Sequence, residues 1–418
     1  MSTLNSRNKR YKIAIIGGGA GGLASAVSAC ENISGKDIII LERQARTGKK
    51  ILASGNGRGN ISNKSLSVKN YYSENPDFMK YALENVNIED FFYKLGGIIY
   101  EEEGRLYLNS QQSSSVVDLL RNYILENGVT EKTSFEVTGI KKQGGLFIIS
   151  GRNNSTLIER GGGAADGEFQ AENIIFCCGG CSYKGLSAGV NPYKLLIDLG
   201  HKLIKPYPAL VQLKTDMQYT KNLNGVRNYV NIRLFDKDKY IKDFEGELQF
   251  TAYGISGIAS LNLSVAAQRI ENPEIFIDFF PSYSQAQLEK IFNDKLANIK
   301  NLKAEQLFTG IINKQTGISV LKRANINLNG GISRNDICAI VNVCKNFRLK
   351  ITGNLGFDYA QVTGGGIDTS DVDCKTMESK IIKNLYICGE ALDVTGVCGG
   401  YNLHFAFAGG IIAGTAIK

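Results

Sequence analysis

The chain is 418 residues long, more than one ordinary core accommodates, and its 43% apolar and 21% charged residues describe a globular protein rather than a disordered one. Forty-eight basic and forty acidic residues leave a net +8, but the charges are scattered and no basic stripe alternates with aromatics, which argues against a nucleic-acid partner. No apolar run reaches the ~18 residues of a membrane span, residues 13–16 are too short a run for a signal segment, and the nine cysteines lack a disulfide-framework spacing. The expectation is a cytoplasmic, soluble protein with reduced thiols.

Strand-like and helix-like segments alternate along the first 200 residues. The apolar runs 13–16 and 38–41 read as buried parallel strands with a helix between them. Ser113, Ser114 and Ser115 ahead of Val116, Val117, Leu119 and Leu120 read as a capped helix. Residues 147–150 and 174–178 read as further strands, and 160–167 (RGGGAADG) as a glycine-rich surface turn. Beyond residue 200, Pro206 and Pro208 punctuate the chain, and strand-like runs at 209–213, 230–235, 247–250 and 275–279 predict a β-rich unit. From Ser284 the pattern turns helical: Ser284 with Gln287, and Ser333 with Asp336, stand at capping-box spacing ahead of apolar periodic runs. After about residue 355 the texture is glycine-rich and α/β-like again. The expected fold class is α/β: a Rossmann-type domain of residues 1–199, completed by the C-terminal residues 351–418, with an inserted β-rich subdomain (200–283) and an inserted helical subdomain (284–350).

The strongest chemical signal is G-x-G-x-x-G at Gly17, Gly19 and Gly22, between the first strand and a helix carrying Leu23, Ala26 and Val27. Gly17 would make the tight turn, Gly19 would let backbone approach a pyrophosphate, and Gly22 would allow close helix–strand packing. The pyrophosphate charge would then sit at the helix N-terminus. A second strand ends in Glu42, where a carboxylate accepts hydrogen bonds from an adenosine ribose. FAD and NAD share this fingerprint, so the C-terminus decides between them. Residues 384–390 (NLYICGE) read as a short strand ending in Gly389 and Glu390, a carboxylate suited to a ribityl chain. Gly399, Gly400, Tyr401 and Asn402 precede an apolar helix whose N-terminus suits the anionic edge of a reduced flavin. An NAD dehydrogenase has no need of that return, so FAD is the expected cofactor. A second complete fingerprint is missing, residues 364–366 being too short a match, so NAD(P)H is expected only as a transient electron donor.

Together these residues resemble the YhiN/BaiN-type family of FAD-dependent, aminoacetone-oxidase-like oxidoreductases over essentially the whole chain. The resemblance rests on residues 13–22 (IAIIGGGAGG), 48–63 (GKKILASGNGRGNISN), 246–257 (GELQFTAYGISG), 360–380 (AQVTGGGI and KTMESK) and 385–410 (LYICGEALDVTGVCGGYNLHFAFAGG). It implies a Rossmann FAD domain whose insert has a β-barrel-like part and a helical part. It also implies hydride transfer through flavin N5 to or from a small unsaturated or carbonyl-containing substrate. The loop 48–63 would cross to the isoalloxazine ring, where Ser54, Gly55, Gly57 and Gly59 allow backbone approach and Lys50, Arg58 and Asn60 supply donors. Gly59 stands where the family has a cysteine. Ala252 stands where it has a histidine, so an acid–base role there is either lost or passed to a neighbour such as Tyr253.

The expected FAD contacts are therefore Gly17, Gly19, Ala20, Gly21, Gly22, Glu42, Arg43, Lys50, Ser54, Gly55, Asn60, Val137, Cys178, Gly179, Gly389, Glu390, Gly400, Tyr401, Asn402 and Leu403, and the catalytic candidates are Arg58 and Tyr253. Cys177, Cys178 and Cys181 include a C-x-x-C that reads either as a dithiol exchanging electrons with the flavin or as small packing residues beside it. His404 reads as facing the flavin or the core, His201 as a structural residue at a helix end. No Cys/His spacing suggests a metal. Two rival functions stay open: a flavin-binding sensor without turnover, and an RNA-modifying flavoenzyme drawing on Lys202, Lys205, Lys214, Lys221, Arg227 and Arg233.

Overall fold

The computed structural model describes residues 9–153, 166–183, 185–186 and 191–418. The glycine-rich turn expected at 160–167 lies outside them as far as residue 165. The chain divides into two compact units, Met1–Tyr207 with Val362–Lys418, and Pro208–Gln361.

The first unit is organised by a seven-stranded sheet. Arg10–Ile16 lies between Ile38–Leu41 and Asp166–Phe176 and is parallel to both. Thr130–Lys132 extends the parallel part beyond Ile38–Leu41. Ile13, Ile15 and Ile38 to Leu41 are all but inaccessible, because both faces of the sheet are covered and the runs need no polar alternation. The far edge of Asp166–Phe176 is shared. Its beginning pairs antiparallel with Leu146–Asn153, followed by Phe135–Gln143, while its end pairs parallel with Leu385–Ile387. The register sets Ile16 beside Leu41 and Phe176, and Phe176 beside Ile387. Gly17, Glu42, Cys177 and Cys388 therefore form one row at the carboxyl ends of four parallel strands, which is where open α/β sheets bind ligands.

Two helices close over this row. Ala20–Ala29 is buried along its whole length, and so is most of Tyr401–Ala416, which explains why the latter is apolar almost all round. Their backbones touch through small residues. A Cβ on Gly410 would stand 2.2 Å from the carbonyl of Gly21, and one on Gly414 would stand 2.3 Å from that of Ser25. The C-terminal helix is thus part of the first unit's core.

The second unit is a closed barrel of six antiparallel strands in the order Leu213–Thr215, Gly254–Ser256, Lys239–Thr251, Arg227–Asp236, Pro273–Asp278 and Phe347–Asn354. The last pairs with the first and removes both edges. Val230, Ile232 and Leu234 alternate into the interior, as do Ile275 and Ile277. Ile258–Ala267 packs on the barrel, and Gln285–Asn298, Lys314–Arg323 and Arg334–Lys345 complete the unit. Both capping boxes form as expected, Ser284 with Gln287 and Ser333 with Asp336. Among the described residues no helix is long and apolar enough to cross a membrane.

Two local expectations are corrected. The run 209–213 is not a strand: Leu203–Ala209 ends there, Leu210 takes a left-handed φ of 49°, and the next strand starts at Leu213. The helix Ser113–Glu126 does form, but its serines do not cap it. Gln112 is the N-cap, without a side-chain bond, and the Ser113 hydroxyl instead donates to the carbonyl of Leu52 at 2.9 Å.

Candidate cofactor site

The turn after the first strand is held by two different kinds of glycine. A Cβ on Gly22 would lie 1.9 Å from the carbonyl oxygen of Gly17, so packing within the chain forbids any side chain there. Gly19 is the opposite case: nothing lies within 4 Å of where its Cβ would stand, and its φ of −82° is open to every residue. Chain packing gives no reason for glycine at that position. Gly19 is also the N-cap of Ala20–Ala29, a helix with no side-chain cap and no acidic residue in its first turn. The space beside Gly19 is free of chain atoms, and the leading N–H groups of a helix fit an anionic group.

Glu42 sits next to this turn. One carboxylate oxygen accepts from the N–H of Gly18 at 2.8 Å and the other from that of Gln44 at 2.6 Å. Burial pushes its pKa up, against the pull of those N–H groups and of Arg43 and Lys49. The carboxylate thus braces the glycine turn. The backbone of Glu42 bonds Lys132 and Phe135, which brings the strand carrying half-buried Val137 alongside.

The loop 48–63 is tied to the same turn by the N–H of Gly48, which donates to the carbonyl of Gly18 at 2.7 Å. The short helix Lys49–Leu52 then points Lys50 at the C-terminal segment. Lys50 Nζ lies 2.6 Å from Glu390 Oε2 and 2.9 Å from Ser182 Oγ. Glu390 Oε1 accepts from the Ser182 hydroxyl and from the N–H of Thr363, both at 2.9 Å. Burial alone would raise the Glu390 pKa, but the charge and hydrogen bond of Lys50, with Ser182 and Thr363, outweigh it and hold the carboxyl below its usual range. Four chain segments meet at this one carboxylate. Neither Ser182 nor Thr363 carries a local signature of its own; Thr363 lies within the AQVTGGGI motif at 360–367, which is its only sequence signal.

Other predicted residues have structural partners. Asn402 clamps Gly396, accepting from its N–H and donating to its carbonyl, both at 2.8 Å. Tyr401 stacks edge-on against Tyr71, whose hydroxyl donates to the Tyr401 carbonyl. Leu403 is half-buried one turn into the helix, and Ser54 donates to the Ile51 carbonyl. Gly400 caps the helix in a left-handed conformation (φ 97°), and a Cβ there would meet the Ser62 carbonyl at 2.4 Å and Asn60 Oδ1 at 2.6 Å. Asn60 Oδ1 is buried with no hydrogen-bond partner among the described residues. Gly55 takes a positive φ of 56° in the loop, and Gly179 leaves open space beside Cys178. Arg58 is engaged by Glu102 and Gln111, each at 2.6 Å, and lies over the ring of Tyr107. Tyr253 belongs to the other unit, in the turn between two barrel strands.

His404 is 1% exposed and bonds Ser62 Oγ through Nδ1 at 2.8 Å. Burial pushes its pKa down to about 4, which keeps it neutral in the ordinary range. His201 is likewise buried, between the Leu196 carbonyl and the Ser379 hydroxyl. Among the described residues no group of three or more His, Cys, Asp or Glu is placed to hold a metal.

The cysteines are arranged for packing rather than exchange. Cys177 meets Cys388 across adjacent parallel strands, Sγ to Sγ 3.1 Å, and Cys178 donates to the Ile16 carbonyl. Burial raises the pKa of Cys177, Cys178 and Cys181, the reverse of what a reactive thiol needs. A thiol reagent such as dithionitrobenzoate is expected to modify the exposed Cys338 quickly in the native protein and to spare Cys177 and Cys178. Modification of Cys178 as fast as Cys338 would restore the dithiol reading.

With the row of strand ends, the helix N-terminus and the returning C-terminal segment in place, comparison with known proteins is decisive. The HI0933-like protein Rossmann domain family matches residues 11–416. The chain belongs to that family. This bears out the resemblance read from the five motif stretches. A 3-dehydro-bile acid delta(4,6)-reductase of Clostridium scindens is 34% identical over 97% of this chain and 98% of its own length. A ribosomal RNA dihydrouridine synthase of Haemophilus influenzae is 29% identical over 94% of this chain and 95% of its own. A 3-ketosteroid-Δ4-(5α)-dehydrogenase of Rhodococcus jostii has a similar fold, with a TM-score of 0.50, 12% identity, and coverage of 99% of this chain and 98% of that one. The chain is an oxidoreductase of the flavoprotein class, with a Rossmann nucleotide-binding domain joined to an antiparallel barrel.

Proposed function

We propose that the chain is an FAD-dependent reductase of a carbon–carbon double bond conjugated to a carbonyl. The observation that carries FAD is the meeting of Lys50 and Glu390, which builds the C-terminal return into the same site as the Gly17–Gly22 turn. A nicotinamide dinucleotide would not call for that return. The names of the relatives support the substrate class. A 3-oxo steroid with double bonds at positions 4 and 6 and the uracil ring of uridine both hold a C=C bond in conjugation with a C=O.

Bound FAD would supply two-electron hydride chemistry, with NAD(P)H as a transient donor. The turn at Gly17, Gly19, Ala20, Gly21 and Gly22 would hold the pyrophosphate, with Glu42 at the ribose and Glu390, braced by Lys50, at the ribityl chain. The leading N–H groups of Tyr401–Ala416 would favour negative charge on the pyrimidine edge of the ring. Hydride arriving at the β-carbon leaves a proton to be delivered to the α-carbon. Arg58 suits that task poorly, since the hydrogen bond to Glu102 raises its pKa further. The family resemblance offers Tyr253, the neighbour of Ala252 at the family's histidine position, for that role. Replacing Tyr253 by Phe is expected to lower kcat by roughly 100-fold while FAD content and flavin reduction by NAD(P)H stay unchanged; an unchanged kcat would remove Tyr253 from the reaction.

A small substrate is favoured over RNA because several of the basic residues proposed for a nucleic-acid face are already committed. Lys202 pairs with Asp368, Arg227 with Glu247, and Arg233 bonds the Lys345 carbonyl and Asn346. The test is anaerobic. FAD-loaded protein is expected to bleach with NADH or NADPH, and a small cyclic enone is expected to reoxidise it with formation of the saturated ketone. A flavin that neither donor bleaches, or a reduced flavin that no enone reoxidises, would overturn the proposal.

A further inference from the structure

The barrel unit carries a cleft of about 420 Å³ that the reductase reading does not use. Its lining is charged or polar apart from the ring of Tyr219, which disfavours a wholly apolar ligand. Arg323, in the last turn of Lys314–Arg323, lays its guanidinium over the rings of Tyr219 (4.8 Å to the centroid) and Phe347 (5.2 Å). Stacking fixes the plane of the group and leaves its in-plane N–H donors unspent. Among the described residues no carboxylate engages the side chain of Arg323 or that of Lys350. Lys350 is held by its backbone: its N–H donates to Asp216 Oδ1 at 2.8 Å, and its carbonyl accepts from the Asp216 N–H. A third cation, Arg348, is neutralised in a two-pronged pair with Glu274.

The cleft thus combines two unpartnered cations, one of them rigid, with two carboxylates that are already accepting. A fork-shaped donor beside an ammonium suits a tetrahedral dianion better than a single carboxylate. The carboxylates of Asp216 and Glu274 repel an extended polyanion but can accept from hydroxyl groups. We propose that this cleft binds a phosphorylated sugar or nucleotide, its phosphate on Arg323 and Lys350 and its hydroxyls toward Asp216 and Glu274. The site stands independently of the reductase reading, since it draws on neither the cofactor nor its loops.

Calorimetric titration of FAD-loaded protein with inorganic phosphate, ADP and acetate tests it. Phosphate and ADP are expected to saturate at one per chain, ADP more tightly, with acetate silent. Arg323→Gln and Lys350→Ala are each expected to weaken ADP at least tenfold without altering the flavin spectrum. Lys350 is exposed, so its variant keeps the test valid if loss of the Arg323 stack unfolds the helix. Absence of saturable phosphate or ADP binding, equal binding of acetate, or variants that bind ADP like the parent would overturn the proposal. A single-stranded RNA ten-mer that binds more than tenfold tighter than ADP, and weakens in both variants, would overturn the commitment to a small ligand.

Discussion

Gly19→Val is expected to yield a folded protein that has lost FAD, with affinity down by about 100-fold, or ~2.7 kcal/mol. The position has an ordinary φ and open space where the side chain would go, so the apoprotein accommodates valine with little change in Tm. The same side chain occupies the approach to the helix N-terminus. Gly22→Ala is the counterpart, because its methyl group would stand 1.9 Å from the Gly17 carbonyl. That variant is expected to lose about 3 kcal/mol of stability as well as the cofactor, since the turn and the helix must part. Circular dichroism melts of both apoproteins beside fluorescence titration with FAD separate the two outcomes. Equal loss of stability in both variants would mean that Gly19 is glycine for packing after all.

Lys50→Met is expected to lower the Tm of the apoprotein by roughly 4–8 °C at pH 8, the equivalent of about 2 kcal/mol for a unit of this size. The effect stays below that of a fully buried pair because the Lys50 side chain is 32% exposed and that of Glu390 18%. The pH dependence identifies the cause. In the parent, Glu390 has a lowered pKa, so its contribution is complete above the ordinary carboxylate range and is lost only as pH falls through that lowered value. Without Lys50 burial becomes the larger influence and lifts the folded pKa above the unfolded one. The penalty is then full at pH 8 and is relieved as Glu390 takes up a proton on acidification. The gap in Tm between variant and parent should therefore narrow from pH 8 to pH 5. A constant gap would show that Lys50 contributes through packing alone.

What was legible in the sequence followed the range of each interaction. The glycine turn, its flanking strand and helix, and Glu42 lie within thirty residues, and each feature carries its own local signature. The capping boxes at Ser284 and Ser333 were readable for the same reason: three residues contain the whole hydrogen-bonding pattern. The strand Thr130–Lys132 was not readable, because two of its three residues are charged and only the register beside Ile38–Leu41 makes it a strand. The barrel strands could be seen one by one, but closure depends on Leu213–Thr215 meeting Phe347–Asn354 across more than a hundred residues. The same limit hid the partners of Lys50 and of Cys177. Locally Glu390 reads as a ribityl contact and Cys177 as the first residue of a C-C-G-G-C run, whereas each has its nearest chemical neighbour on a segment more than two hundred residues away. Leu210 marks another limit, since an apolar residue with neighbours of its kind reads as strand whatever its φ.

The central claim is that one FAD is held jointly by the N-terminal glycine turn and the C-terminal return. Its most direct test is a titration of apoprotein with FAD, followed by flavin fluorescence and repeated with Gly19→Val and with Glu390→Ala. The account predicts saturation at one FAD per chain with sub-micromolar affinity in the parent, and loss of at least tenfold in each variant although the two positions lie at opposite ends of the sequence. Failure of the parent to bind FAD, or tight binding that survives both substitutions, would contradict it.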